Sequence, residues 1–303
     1  MRTEQQIFDA LVELCKSPGY AHAIAYLCLR DNTVAFRDEM TAADMQHMFT
    51  DERLSRTEIA TLIGLLVRVP VDYAKPEFDA LQRYADSTDA LLAELHQSMS
   101  REGMATHDWV ELAEKGGNPF ANGAAMREPI FYGGESAYSF QYRDLSVRKY
   151  GADSTWLKAN RGFTPDVARN IGCALERLQN AKIVHCRNEA QHANSPEAWT
   201  FLSIYQFSVE ELVNESGHKR EDVEAVLAAF SLPADNRNES FQSLHDFNVT
   251  NACPILRVGD GTFILFQAYS LMEALYESPF YWMTADVSGG VKASLDGGAK
   301  LSR

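Results

Sequence analysis

Residues Ala252–Asp286 read ACPILRVGDGTFILFQAYSLMEALYESPFYWMTAD and hold the densest apolar content of the chain. Apolar residues flank Gly259-Asp260-Gly261, a pattern typical of a short hairpin, which we place at residues 253–266. Apolar residues at three- and four-residue spacing then predict one helical face before Pro279. They are Leu271, Met272, Leu275 and Tyr276. We expect the upstream helices to gather around this strand, turn, strand and helix.

Length and charge exclude several classes of protein. With 303 residues and 46% apolar content, the chain can bury one large core or two ordinary ones. A net charge of −14 disfavours nucleic acid and anionic membranes as partners. No apolar run approaches the roughly 18 residues of a membrane span, and the start lacks a secretory leader. Five cysteines never form C-x-x-C, so we predict a reduced, cytoplasmic protein.

Residues 1–117 show helical periodicity and predict a helical N-terminal domain. Ser55 and Glu58 form a capping box that opens a helix running to Pro70, and Pro76 begins a longer helix that reaches Gly103. Further helices are predicted at residues 4–16, 20–29 and 41–49 and around Trp109. Residues 118–128 are rich in Gly, Asn and Ala, which predicts a connection.

Residues 129–286 predict a mixed α+β domain, so the fold class is mainly α with small β-hairpins. The alternation of Tyr138, Phe140 and Tyr142 suggests a hairpin, although aromatic residues also line irregular packed loops. Thr164-Pro165-Asp166 predicts a helix start, and residues 181–186 fit either a strand or a helix end.

Two helices separated by glycine are predicted at residues 208–230, and a hairpin follows later. This order is typical of a helix-turn-helix or winged-helix-like unit. Lys219 and Arg220 near the start of its second helix are the candidate nucleic-acid contacts. Three neighbouring carboxylates would repel phosphate, so we favour a packing or protein-contact role. They belong to Glu221, Asp222 and Glu224.

Residues with catalytic or metal-binding chemistry are sparse in the sequence. His185, Cys186 and His192 are grouped, but a structural zinc needs about four ligands and no fourth lies at a recognisable spacing. His96, beside Glu94, could serve as a base or simply edge the core. Gly133-Gly134-Glu135-Ser136 lacks the G-x-S-x-G spacing of a nucleophile elbow, and phosphate-cradling glycine loops are absent. We therefore assign no catalytic residue, metal ligand or cofactor.

Four long strings resemble the upstream region of a family of large, poorly characterised bacterial proteins. They are RTEIATLIGLL (56–66), REPIFYGGESAYSFQY (127–142), WLKANRGF (156–163) and SLMEALYESPFYWMTAD (270–286). Members of that family usually continue into a restriction-endonuclease-like domain with an acidic strand and a Gln- or Glu-x-Lys strand. The resemblance covers nearly residues 1–286, and it implies no site residue for this region.

The sequence contains no Asp, Glu or Gln followed two positions later by Lys, so the metal-dependent nuclease site of those relatives has no counterpart in its usual form. Residues 287–303 carry four glycines and no aromatic residue, which predicts a disordered or aberrant tail. A natural stop, a frameshift and a truncation all fit this end of the chain.

The leading hypothesis is a non-catalytic scaffold or regulatory module that would accompany a nuclease-like domain in full-length relatives, with a role in defence against foreign DNA. The alternative is a nucleic-acid-binding module built on residues 208–266. A third hypothesis is a hydrolase that uses residues 133–142. The C-terminal apolar helix is the candidate surface for a protein partner or for self-association. Its candidate docking residues are Leu271, Leu275, Tyr276, Phe280 and Trp282.

Overall fold

The structure is a computed structural model of the chain. It describes residues 2–31, 41, 53–105, 124–133, 137–190, 201–233, 237–259 and 261–285. Several predictions lie outside these residues. They are the helix at residues 41–49, of which only Thr41 is described, the helix around Trp109, the segment 134–136 and the tail 287–303.

Helices make up most of the described residues, and one small antiparallel sheet accompanies them, which confirms the predicted mainly α, α+β class. The chain divides into two compact units. The first comprises residues 1–136 and 238–247, and the second comprises residues 137–237 and 248–303. None of the helices in the described ranges combines the length and the apolar content that crossing a membrane requires.

Every regular element that the structure describes in the first unit is a helix. Its helices are α1 (Glu4–Cys15), α2 (Tyr20–Asp31), α3 (Arg56–Leu66), α4 (Phe78–Ala105) and α5 (Ala124–Gly133). The predicted capping box of Ser55 and Glu58 is present at the start of α3. Helix α5 covers residues 124–128 of the stretch that the sequence predicted as a connection.

Helix α2 is buried along most of its length in the first unit. The fully buried Tyr20 side chain shares a 2.6 Å hydrogen bond with the hydroxyl of Thr88 on α4. Gly19 precedes α2 with φ of 72°, and a Cβ there would lie 2.5 Å from the carbonyl oxygen of Ala74. Only glycine allows this close approach of two backbone segments.

Residues 238–247 return to the first unit after most of the second has been built, which the sequence did not predict. Phe241 packs edge to face against Phe8 of α1, with ring centroids 5.4 Å apart. The buried Asn238 amide donates a 3.0 Å hydrogen bond to the carbonyl oxygen of Gly64 in α3. A short distant segment thus completes the core of the first unit.

The second unit combines helices with the sheet. Its helices are α6 (Ser139–Tyr150), α7 (Ser154–Arg161), α8 (Pro165–Ala190), α9 (Leu202–Tyr205), α10 (Val209–Ser216), α11 (Arg220–Phe230) and α12 (Ala268–Ala285), with a 3-10 turn at Val249–Asn251. Its strands are β1 (Gln206–Ser208), β2 (Leu256–Gly259) and β3 (Thr262–Ile264). Helix α8 begins at the predicted Pro165 and continues through residues 181–186, which decides between the two alternatives in favour of helix.

The sheet has the antiparallel order β1-β3-β2, and β2 and β3 form the predicted hairpin. The added strand β1 pairs Phe207 with Phe263, whose rings stack with centroids 5.8 Å apart. With three residues between helices α9 and α10, β1 is too short to show an alternating pattern in the sequence.

The predicted hairpin at Tyr138–Tyr142 is wrong, because residues 139–150 form helix α6. Tyr142, Ser146 and Tyr150 are the buried residues of this helix and follow each other at four-residue spacing. Tyr138 and Phe140 are exposed and stack on each other at 5.7 Å. The aromatic alternation spans only the first turn, whereas the helical period extends over the whole segment.

Candidate functional site

A cavity of about 610 Å³ opens in the first unit between the start of α3, the middle of α4, and α5. We call it the acidic cleft. Its polar lining residues are Arg53, Ser55, Glu58, Asp89, His96, Glu128 and Tyr132. The apolar part of the wall is formed by Leu54, Leu92 and Ala93. The volume falls in the range of about 300–1,000 Å³ that is usual for small-molecule sites.

Glu58 is placed by the capping box of α3. Its Oε2 accepts a 2.7 Å hydrogen bond from the Ser55 backbone N–H, and the side chain is only 5% exposed. Burial raises the pKa of the Glu58 carboxyl, and the hydrogen bonds from Ser55 oppose this effect. The cap therefore fixes a desolvated carboxyl group in the cleft wall.

His96 and Glu128 face each other across the cleft. The Nε2 atom of His96 on α4 lies 3.0 Å from Oε1 of Glu128 on α5. Glu94, the neighbour with which the sequence associated His96, instead pairs with Arg2, whose side chain lowers the pKa of the Glu94 carboxyl. The partner of His96 is thus a residue that the sequence placed in the predicted connection at residues 118–128.

Tyr132 completes this side of the cleft. Its ring stacks on the His96 imidazole at 4.1 Å between centroids, inclined by 26°. Its hydroxyl oxygen is buried near the Glu58 carboxyl but makes no hydrogen bond of good geometry among the described residues. Burial, followed by the nearby charge of Glu58, raises the pKa of the Tyr132 hydroxyl. A buried hydroxyl without a well-formed hydrogen bond costs free energy, so the Tyr132 hydroxyl is available to bond a ligand in the cleft.

The opposite rim holds an ion-pair network. Arg30 donates to both carboxylate oxygens of Asp89, at 2.6 Å and 2.8 Å, and also pairs with Asp31. The Arg53 guanidinium donates to the backbone carbonyls of Arg30 and Asp31. The Asp89 carboxylate is therefore neutralised locally, whereas Glu58 has no ion-pair partner among the residues that the structure describes.

The arrangement can bind a charged ligand and can also hold a proton. A histidine oriented by a carboxylate is a common proton carrier, and a desolvated carboxyl group with a raised pKa retains its proton more readily than one in water. Such perturbed groups gathered in one cavity indicate a functional site, although structural ion-pair networks also perturb pKa values.

Comparisons with family models, with curated proteins and with solved structures found no match to this chain. The acidic cleft therefore has to be interpreted from its own geometry.

Lys219 and Arg220, the predicted nucleic-acid contacts, lie at the N-terminal end of α11. Lys219 is exposed and occupies the N-cap position without making a side-chain cap. Arg220 pairs with Glu210 on α10 and with Glu224 one turn further along α11. The Arg220 charge is thus partly compensated before any phosphate approaches.

The predicted docking residues of α12 divide into two groups. Leu271 and Leu275 are buried in the core of the second unit, and Tyr276 and Trp282 pack against that core. The two leucines are therefore core residues and form no apolar surface. Phe280 is 44% exposed and lies beside Tyr281, which is 60% exposed and was not among the predicted residues.

Pro279 interrupts the hydrogen bonds of α12, and Tyr150 of α6 repairs them. The Tyr150 hydroxyl donates to the Tyr276 carbonyl oxygen at 2.6 Å and accepts from the Phe280 N–H at 3.2 Å. The Lys149 ammonium donates to the same carbonyl and lies 3.8 Å from the centroid of the Tyr276 ring. Proline removes one helical donor and crowds the preceding turn, so the inserted hydroxyl stabilises the helix there.

The predicted grouping of metal-type residues is only partly described. His185 is exposed and Cys186 partly buried near the end of α8, and His192 lies outside the described residues. Within the described ranges, no group of three or more His, Cys, Asp or Glu side chains is arranged to hold a metal ion.

The sequence singled out His96 but missed Glu58, Glu128 and Tyr132 as site residues. Glu58 had been interpreted only as a helix cap. Glu128 and Tyr132 stand four positions apart, the spacing of one helical face, and this signal could have placed them together opposite His96. The aromatic alternation that follows them favoured a hairpin instead.

Proposed function

We propose that this chain is a scaffold or regulatory module whose first unit binds a small ligand in the acidic cleft. The resemblance noted above supports an association, in full-length relatives, with a nuclease-like domain and with defence against foreign DNA. In that setting, ligand binding in the first unit would regulate the attached domain, and this chain would supply no catalysis of its own.

The acidic cleft is the observation that carries this proposal. The first unit buries the Glu58 carboxyl and the Tyr132 hydroxyl at the wall of a cavity of about 610 Å³. Packing these positions with apolar side chains would avoid the cost of desolvating polar groups. Retention of polar groups around a space of ligand size is the pattern expected of a binding site.

A blocking variant tests the ligand-binding part. Ala93→Trp places a large side chain in the cleft wall, and Ala90→Trp makes the same change at an exposed position of α4 that does not line the cleft. Thermal unfolding is measured with a panel of amines, amino acids, nucleosides, sugars and dicarboxylates. We expect a compound that raises the melting temperature of the wild type and of Ala90→Trp but not that of Ala93→Trp. A panel without any such compound contradicts the proposal.

A cleavage assay tests the non-catalytic part. The purified chain is incubated with supercoiled, linear and single-stranded DNA in the presence of Mg²⁺ or Mn²⁺, and we expect intact DNA. Cleavage that a chelator abolishes would refute this part of the proposal, because it would show metal-dependent nuclease chemistry within the chain.

The strand order of the second unit favours a second candidate, a winged-helix-like nucleic-acid-binding module. Strand β1 precedes the two helices α10 and α11, the hairpin β2-β3 follows them, and β3 lies between β1 and β2. That succession supports a winged-helix-like arrangement, in which α11 would enter the major groove. The carboxylates of Glu221 and Glu224 and the pairing of Arg220 oppose phosphate binding.

A titration at low salt discriminates the two candidates. We expect no measurable affinity of the chain for duplex or single-stranded DNA at 50 mM salt or below, where electrostatic binding is strongest. Affinity that falls tenfold or more in Lys219→Ala, but not in Lys158→Ala on α7, would favour the nucleic-acid module. Lys158 is a suitable control because it already pairs with Asp222.

Self-association through the end of α12 is a further part of the proposal. The adjacent exposed rings of Phe280 and Tyr281 support it, since exposed aromatic residues are enriched at interfaces. Light scattering of the wild type and of Phe280→Ser over a hundredfold concentration range measures it. A wild-type chain that stays monomeric throughout contradicts this part.

A further inference from the structure

We infer that the acidic cleft takes a small organic cation, with a guanidinium or ammonium group on a short aliphatic stem. The inference rests on the proposed ligand-binding role of the first unit and narrows the class of ligand. Charge, hydrogen-bonding capacity and the shape of the wall each support it.

The charge of the cleft favours a cation. Asp89 is compensated by Arg30, and Glu128 faces His96, but Glu58 has no ion-pair partner among the described residues. Burial weakens solvation of the Glu58 carboxylate, so an entering cation gains more from it than from an exposed carboxylate. The chain as a whole carries a net charge of −14, which attracts cations and repels anions at a distance.

Hydrogen-bonding capacity points the same way. The Glu58 carboxylate and the hydroxyl oxygen of Tyr132 are close enough to interact, and the hydroxyl makes no hydrogen bond of good geometry within the described residues. An ammonium or guanidinium group carries several N–H donors and could bond both oxygens at once. A carboxylate or phosphate ligand would be repelled by Glu58.

The remaining wall selects an organic ligand. Leu54, Leu92 and Ala93 offer apolar surface to an aliphatic stem. A bare divalent ion fits poorly, because the described residues contain no group of three or more ligands arranged for a metal. A cavity of about 610 Å³ is larger than a single ammonium ion needs and suits a molecule with several carbon atoms.

Isothermal titration of the full chain tests the inference. The probe is agmatine, which joins a guanidinium and an ammonium group by four methylenes, and the comparison compounds are neutral 1,4-butanediol and anionic succinate. We expect agmatine to bind and the other two compounds not to bind. Glu58→Gln should weaken agmatine binding at least tenfold, since a hydrogen bond to a charged group is lost. Tyr132→Phe should weaken it less.

Glu94→Gln is the matched control. It removes the same unit of charge from the first unit, but Glu94 pairs with Arg2 and does not line the cleft. Long-range attraction therefore falls equally in both variants, and only Glu58→Gln removes a cleft carboxylate. Glutamine preserves the capping box of α3, which accepts either residue at that position, so the variant should fold.

The possible outcomes separate this inference from the proposed function. Agmatine that binds the wild type, Glu58→Gln and Glu94→Gln equally overturns the inference, because the cleft would not be its site. Binding of succinate or butanediol that Ala93→Trp abolishes also overturns the cation class, but it leaves the proposed ligand-binding module intact. Absence of any ligand blocked by Ala93→Trp overturns both.

Discussion

The first unit surrounds a cavity with buried polar groups, whereas the second unit fills its centre with aromatic rings. In the second unit, Phe230 lies 6.0 Å from Phe163 and 5.2 Å from Trp282 between ring centroids. In the first, Glu58, His96 and Tyr132 surround open space. Ring packing contributes to stability directly, but desolvated polar groups oppose it. The comparison indicates that ring packing stabilises the second unit, whereas the first unit bears an energetic cost for its cleft.

Phe230→Ala should have the largest effect on stability. Phe230 is fully buried between two aromatic neighbours, so its truncation removes apolar burial and leaves a cavity in the second unit. We expect a loss of about 3–5 kcal/mol in the free energy of unfolding of that unit. Hydrogen exchange measured peptide by peptide separates the two units. Protection should fall in α8 and α11 and stay unchanged in α2.

Phe280→Ala is the control for that substitution. Phe280 is 44% exposed, so the same change of side chain leaves no enclosed cavity. Protection of the second unit should change by about 1 kcal/mol or less. Equal losses in the two variants would show that the buried aromatic cluster contributes no more to the stability of the second unit than an exposed ring does.

Tyr150→Phe should have the next largest effect. It removes the hydroxyl that bonds both the Tyr276 carbonyl oxygen and the Phe280 N–H beside Pro279. Leaving partly buried backbone groups without a partner costs about 1–3 kcal/mol. In the variant, Lys149 still donates a hydrogen bond to the Tyr276 carbonyl oxygen. Exchange should accelerate in α12 after Pro279. Tyr138→Phe, at a 68% exposed position, should change nothing.

Thr88→Val applies the same test to the first unit. Valine preserves the shape of the side chain but removes the hydroxyl that bonds Tyr20 at 2.6 Å. We expect a loss of about 1–2 kcal/mol, measured as faster exchange in α2 and α4. A loss as large as that of Phe230→Ala would mean that this one hydrogen bond stabilises the first unit as much as the Phe230 ring stabilises the second.

Local signals in the sequence predicted most helices of the two units. The capping box at Ser55 and the motif Thr164-Pro165-Asp166 marked helix starts that the structure confirms, because such signals involve residues only a few positions apart. The hairpin at residues 253–266 was predicted for the same reason. The return of residues 238–247 to the first unit could not be predicted, since it depends on contacts such as that between Phe8 and Phe241, far apart in the chain.

The acidic cleft was less predictable than the fold. His96 carried a recognisable chemistry, but its partner Glu128 lies 32 residues later on another helix. Glu58 gave a signal for a helix cap, and its burial at a cavity wall depends on the packing of α3 against α4 and α5. Three-dimensional packing, which spacing along the chain does not encode, brings these groups together.

Glu58→Gln should have the smallest effect on the free energy of unfolding. The informative quantity is how that effect changes with pH. Burial raises the pKa of Glu58 above its ordinary value, so the folded state binds this proton more tightly than the unfolded state. Wild-type stability contributed by this group is therefore greatest at low pH and is lost as pH rises through the unfolded and then the folded pKa. Glutamine does not titrate and preserves the cap.

The variant should thus gain stability relative to the wild type as pH rises above about 4.3, the usual pKa of a glutamate in an unfolded chain. His96, Glu128, Asp89, Arg53 and Tyr132 also line the cleft and are unchanged in the variant. Urea unfolding from pH 4 to 8 measures the difference. Glu94→Gln should show a difference of the opposite sign, because Arg2 lowers the pKa of Glu94 and its ionised form stabilises the fold. Parallel curves for the wild type and Glu58→Gln would mean that the Glu58 carboxyl is solvated, and the energetic cost assigned to the cleft of the first unit would then lose its main support.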